Sequence, residues 1–161
     1  MKILLSLILS VFLTACSSTP TARYLQADEA SAADYKTFTL EKINANGLNP
    51  KAMLVAGKAI RFALESRGMT YQKENAELLI EFGVGIKQVN EVQLKVVPIG
   101  GATYTAHTLQ NNQYGTLIIN ISDALKTKPI WYMSGSRKIE NMNRSQEDIN
   151  QEFVSILSNF K

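Results

Sequence analysis

Three patterns predict an α+β fold of two layers, in which a mostly antiparallel sheet of four to five strands is covered by two helices in the order β-α-β-β-β-β-α. Leu78, Ile80, Phe82, Val84 and Ile86 alternate with Glu81, Gly83, Gly85 and Lys87, the period of a strand with one buried side. Met53, Ala56, Ile60 and Leu64 recur at the spacing of one helical face, as do Ile149, Phe153, Ile156 and Phe160. The apolar runs 116–121 and 130–134 flank a polar connection and read as a hairpin.

Residues 1–15 stand apart from that domain. Lys2 precedes an apolar run from 3 to 13 that only Ser6 and Ser10 interrupt, the core of a signal peptide. The run is shorter than the roughly 20 apolar residues a membrane-crossing helix needs. Leu13-Thr14-Ala15-Cys16 follows and resembles the lipobox of bacterial lipoproteins, where the cysteine takes a diacylglycerol and the chain is cut before it. The resemblance implies a lipidated N-terminus at Cys16 and attachment through several acyl chains, since one chain alone holds a protein at a membrane only marginally. Among Gram-negative lipoproteins an aspartate after the cysteine retains the protein at the inner membrane. Here that residue is Ser17, which implies the outer membrane with the domain facing the periplasm. Residues 16–33 are small and polar with little periodicity, and read as a flexible tether spanning on the order of 20 Å. The lesser alternative is that Tyr24 and Leu25 dock on the domain.

The domain opens with alternating residues 34–40, a half-buried strand. Asn49-Pro50 supplies an N-cap and a first helical proline, and Gly68 a left-handed stop. The helix between them carries its core face, with Val55, Ala59 and Phe62 beside it. Residues 69–71 form a short return strand. The strand at 78–86 extends toward 92–96 until Pro98 and Gly100-Gly101 end or bend it. Residues 98–113 then read as the longest irregular stretch. After the hairpin, whose connection is 123–129, Ser145 and Asp148 make a capping-box start for the last helix. That helix packs on the sheet.

Of the 161 residues, those past the signal and tether suffice for one domain, 34–161, with one core. Loss of Lys2 leaves 16 basic against 14 acidic residues. The pI near 9.0 therefore reflects a nearly neutral chain, and with export and no nucleic-acid motif, a nucleic-acid partner is excluded. Cys16 is the only cysteine, so the domain has no internal disulfide, thiol nucleophile or cysteine metal site. A single histidine argues against a zinc site. No metal and no cofactor are expected.

Five residues are candidates for binding. Asp123 shares strand parity with Leu117, Ile119 and Ile121, at the end of the apolar face. It either orients a ligand or caps its turn through backbone N–H groups, and the second reading carries more weight. Trp131 and Tyr132 point to opposite faces of one strand, so at most one belongs fully to the core. Burial of Trp131 is favoured over an exposed aromatic contact. Tyr104 and His107 stand out in the 98–113 stretch, where contacts concentrate if it is a loop. No serine or carboxylate stands at a spacing that makes His107 part of a triad. Lys126, Lys128, Arg137 and Lys138 are read as solvated before they are read as lipid-phosphate contacts.

Asp34-Tyr35-Lys36-Thr37-Phe38, Ala76-Glu77-Leu78-Leu79-Ile80, the run from Tyr114 to Ala124, and Pro129-Ile130-Trp131 together resemble an uncharacterised family of bacterial lipoproteins, a domain of unknown function. The match spans most of 34–160. It departs from the pattern at Glu77, where an aspartate is expected, and at Tyr132-Met133, where Arg-Gly commonly follows the tryptophan. The resemblance implies a fold and a compartment and assigns no activity. The leading expectation is a non-enzymatic interaction or accessory module of the cell envelope, with an envelope protein as partner. The alternatives are a carrier or sensor of lipid or cell-wall fragments, which needs an apolar pocket between helix and sheet, and a hydrolase using Ser, Asp and His107.

Overall fold

The computed structural model describes residues 21–27, 31–43, 47–139 and 143–161. The signal segment 1–15, Cys16 and Ser17 lie outside the described residues. One mixed sheet holds six strands: β1 Thr21–Gln26, β2 Thr37–Lys42, β3 Thr70–Tyr71, β4 Leu78–Ile99, β5 Ala102–Asp123 and β6 Lys128–Lys138. Two helices, α1 Pro50–Glu65 and α2 Gln146–Leu157, pack against each other. The strand order is β1-β6-β5-β4-β2-β3.

The helices begin where local chemistry places them. Asn49 Oδ1 accepts the Ala52 N–H at 2.9 Å ahead of Pro50, and Gly68 follows α1 with φ +85°. Ser145 and Asp148 form the reciprocal capping box of α2. Met53, Ala56, Ala59, Ile60, Ala63 and Leu64 of α1 are buried, whereas Phe62, expected beside that face, is exposed. Gly57 lets α1 approach the sheet closely, since a Cβ there would stand 3.0 Å from Phe82 Cζ.

Three expectations are corrected. First, the sheet has six strands and is mixed, because β2 runs parallel to both β3 and β4. A helix inserted between strands returns the chain to the starting end of the sheet, so the following strand pairs parallel. Second, part of the segment read as tether is structure. Thr21–Gln26 pairs antiparallel with β6, and Ala32–Asp34 forms a 3-10 turn. Tyr24 approaches Trp131 with ring centroids 6.0 Å apart. The Ala32 N–H donates to the Lys161 carbonyl at 2.8 Å, so the segment after β1 meets the C-terminal residue. Of the two residues in the lesser alternative, Tyr24 meets Trp131 while remaining 40 % exposed, and Leu25 does not dock.

Third, residues 98–113 are not irregular. β4 and β5 pair without a register shift from Leu78↔Asp123 to Ile99↔Ala102, and Pro98 stays within the strand opposite Thr103. Gly100 and Gly101, at φ +57° and +82°, close the hairpin in two residues. Both central positions need positive φ for a turn that follows the strand twist.

The core fills the space between helices and sheet. Phe38, Ile60, Leu64, Leu78, Ile80, Phe82, Ile119, Ile121, Trp131, Leu157 and Phe160 are essentially without solvent contact. An irregularity between Ile121 and Ser122, where the partner steps from Trp131 to Pro129, leaves Ile130 unmatched. Consecutive Ile130 and Trp131 are thereby both buried. Trp131 Nε1 finds no hydrogen-bond acceptor among the described residues, so the indole contributes chiefly through packing. Trp131→Ala is expected to destabilise the domain by about 3–5 kcal/mol in urea unfolding, and Trp131→Phe by much less, because it removes no hydrogen bond.

Candidate functional site

Two places on the molecule gather the sequence candidates, and they lie at opposite ends of β5. The first is the turn between β5 and β6. Asp123 is buried, and its Oδ1 accepts the backbone N–H groups of Leu125 and Lys126, each at 3.0 Å. Its Oδ2 accepts the Tyr35 hydroxyl at 3.2 Å and faces the Lys126 ammonium at 3.2 Å. The carboxylate is thus committed to the turn. The same turn holds Thr127, a β-branched residue, at φ +50°, a conformation that costs on the order of 1–2 kcal/mol.

The backbone N–H of Lys126 holds the Asp123 carboxyl below the ordinary carboxylate range, assisted by the Lys126 ammonium and the Tyr35 hydroxyl and opposed by burial. Glu77, on the opposite strand end, accepts the N–H groups of Lys36 and Thr37 at 2.5 and 3.0 Å. It fastens the start of β2, a structural task for the position where the resemblance led to an aspartate.

Beside this turn, the sheet face without helices carries a depression of about 550 Å³ lined by Thr39, Leu79, Glu81, Asn120, Ser122 and Asp123, among others. Asn120 Nδ2 donates to Glu81 Oε2 at 2.8 Å across the two central strands. Tyr132 pairs with Asn120 on the same face and is half-buried, while Trp131 faces the core. The two aromatics do point apart, as their strand parity requires.

The second place is the outer half of the β4–β5 hairpin. β6 accompanies β5 only as far as Tyr114, opposite Lys138, so residues 89–112 continue as a two-stranded arm. At about 3.3 Å per residue the arm reaches roughly 35 Å from its root. At that root the Tyr114 hydroxyl and the Asn112 amide donate to the two oxygens of Glu91, at 2.5 and 2.6 Å. The Tyr114 bond holds the Glu91 carboxyl below its usual range, while Glu91 pushes the Tyr114 hydroxyl up. Asn112 is buried in this clasp.

Beyond the clasp the arm is exposed, and its two faces differ. Val92, Leu94 and Val96 continue the parity of Ile80 and Phe82, and Leu109 stands opposite Val92. Their exposures are 61, 66, 62 and 77 %. The other face carries Gln93, Lys95, Thr108 and Gln110, with Tyr104 near the tip at 56 % exposure. His107 lies exposed on the apolar face opposite Leu94. It and Asp123 are sixteen residues apart on one strand, about 50 Å, so the structure does not bring them together. No group of three or more His, Cys, Asp or Glu among the described residues is arranged to hold a metal ion.

The cationic candidates are divided between the two ends. Lys126 belongs to the Asp123 turn, and Arg137 pairs with Glu152 at 2.6 Å. The sequence reading passed over Val92, Leu94, Val96 and Leu109 as a group. The alternation 92-94-96 was visible, but Leu109 sits among polar residues and is matched to Val92 only by strand pairing.

Residues 23–160 match a domain of unknown function, DUF4136. No curated protein matches the chain. The fold is similar to part of a PDZ domain protein from Parabacteroides distasonis, at 16 % identity and TM-score 0.58 over 86 % of this chain. The chain spans only 35 % of that protein's length. It is also similar to a PelC dodecamer from Paraburkholderia phytofirmans, at 15 % identity and TM-score 0.54, covering 88 % of this chain and 96 % of that one. At such identities the likeness is one of fold.

Two measurements test these assignments. The depressed Asp123 carboxyl contributes stability that is present above the unfolded value near 3.9 and lost as pH falls through the folded one. Asp123→Asn is therefore expected to flatten the acid limb of the stability–pH curve. Glu91→Ala is expected to speed hydrogen exchange at 88–93 and 110–114 while leaving the helices protected.

Proposed function

The chain belongs to the DUF4136 family, a domain of unknown function, and we propose that it is a non-enzymatic interaction module of the bacterial envelope whose working surface is the β4–β5 arm. In this reading Cys16 carries the lipid that the lipobox-like segment implies, and Ser17 directs the protein to the periplasmic face of the outer membrane. The observation that carries the proposal is the arm itself. A two-stranded ribbon is at best marginally stable in water, and this one displays Val92, Leu94, Val96 and Leu109 on a single face. Side chains so arranged gain most from a surface that covers them.

The carrier alternative has less support, because the space between helices and sheet is filled by side chains with essentially no exposure. The depression beside Asp123 lies on the open face of the sheet, not between helix and sheet, and its Asn120 and Glu81 are bonded to each other. The hydrolase alternative loses its geometry with the separation of His107 from Asp123. PelC, similar in fold, is a dodecamer, which supports assembly as a use for this fold.

Cross-linking in living cells, followed by mass spectrometry of what is attached, tests the proposal. Replacing residues 90–111 by an Asn-Gly turn preserves the Val89↔Asn112 register and is expected to abolish capture with the protein still folded. His107→Ala is expected to capture what the unaltered chain captures. Undiminished capture by the shortened chain would overturn the assignment to the arm.

A further inference from the structure

We infer that the apolar face of the arm docks on the lipid bilayer that holds the N-terminus, laying the hairpin along the membrane surface. The inference rests on the lipid anchor of the preceding reading, and it follows from where the described chain begins. Thr21 pairs with Ser136, Ser136 with Thr116, and Thr116 with Gly85. The first described residue therefore stands at the end of the sheet from which the arm projects. Three strand spacings, about 14 Å, separate it from β4.

Only residues 17–20 lie between Cys16 and Thr21, so even a fully stretched connection measures at most about 17 Å. From the level of Gly85 to Ile99 the hairpin extends about 46 Å. The anchor chain is shorter than the arm by more than half. To point the arm away from the membrane, that chain would have to run back past β5 from Thr116 to Asp123, about 23 Å of sheet, which exceeds its full length. The arm-bearing end consequently faces the bilayer, and an arm this long meets it.

The chemistry of the two faces suits that contact. Val92, Leu94, Val96 and Leu109 supply an apolar stripe, and Gln93, Lys95, Thr108 and Gln110 face the opposite way. Past the core both edges of the arm have no neighbouring strand among the described residues. A single hairpin driven through the hydrocarbon would leave its edge N–H and C=O groups unbonded, which the bilayer interior does not tolerate. Lying in the interface, the same hairpin sinks its apolar side chains to the acyl boundary and keeps its edges in the hydrated headgroup layer, as amphipathic helices do.

The test uses the full-length precursor expressed in bacteria and the mature protein reconstituted in phosphatidylethanolamine–phosphatidylglycerol vesicles. Single cysteines at Leu94, Leu109, Gln93 and, as a control on the distant β5–β6 turn, Leu125 replace exposed side chains and are labelled with an environment-sensitive fluorophore. Labels at 94 and 109 are expected to shift to the blue and to be quenched by lipid-borne quenchers. Those at 93 and 125 are expected to keep the emission of a water-exposed label. A protein that floats with the vesicles but whose label at 94 matches that at 93 would overturn the docking and leave the anchor intact. A protein that carries no acyl chain and does not float would overturn the anchor reading itself.

Discussion

The unbroken pairing of β4 with β5 governs the rest of the molecule. Each strand has 22 residues, and the register runs from Leu78↔Asp123 to Ile99↔Ala102 without a shift. Because side chains alternate with a period of two, a parity set at one end of such a ladder persists to the other. The face that places Ile80, Phe82, Ile119 and Ile121 under the helices is therefore the face that presents Val92, Leu94, Val96 and Leu109 beyond them. A single-residue bulge midway would have sent the outer apolar residues to the opposite side.

The two halves of that ladder are stabilised differently. The inner half is flanked by β2 and β6 and covered by α1 and α2, so its apolar side chains leave water as the chain folds. Among the described residues the outer half has neither neighbouring strands nor a helix layer. Its root is held by the carboxylate of Glu91 between Tyr114 and Asn112, and its tip by a two-glycine turn. This division makes the inner half the rigid base and the outer half the part free to meet another surface. The carboxylates that stand out in the sequence near the core, Glu77 and Asp123, serve the base: one fastens β2 and the other orders the β5–β6 turn.

The proposed contacts follow from this asymmetry. With the N-terminus entering β1 beside the root of the arm, the attachment point and the unpartnered apolar face share one end of the sheet. The opposite end carries the Asp123 turn and the depression on the uncovered sheet face.

Much of the core was legible from residue order. Alternation from Leu78 to Ile86, the Asn49-Pro50 start of α1, the Ser145–Asp148 capping box and the opposed faces of Trp131 and Tyr132 are each decided within a few residues, by backbone geometry and local hydrogen bonds. What local order did not decide was partnership. β1 is a strand because β6 offers it an edge and Trp131 a surface for Tyr24. β2 runs parallel to β4 because a helix lies between them in the chain. Residues 98–113 carry the proline, glycine and asparagine of a loop, yet they are strand because each of those from 102 onward has a matching residue on β4. The sequence by itself determined which side chains seek the core and where helices begin. Only the tertiary structure, through long-range register, brought Val92 and Leu109 side by side and separated His107 from Asp123.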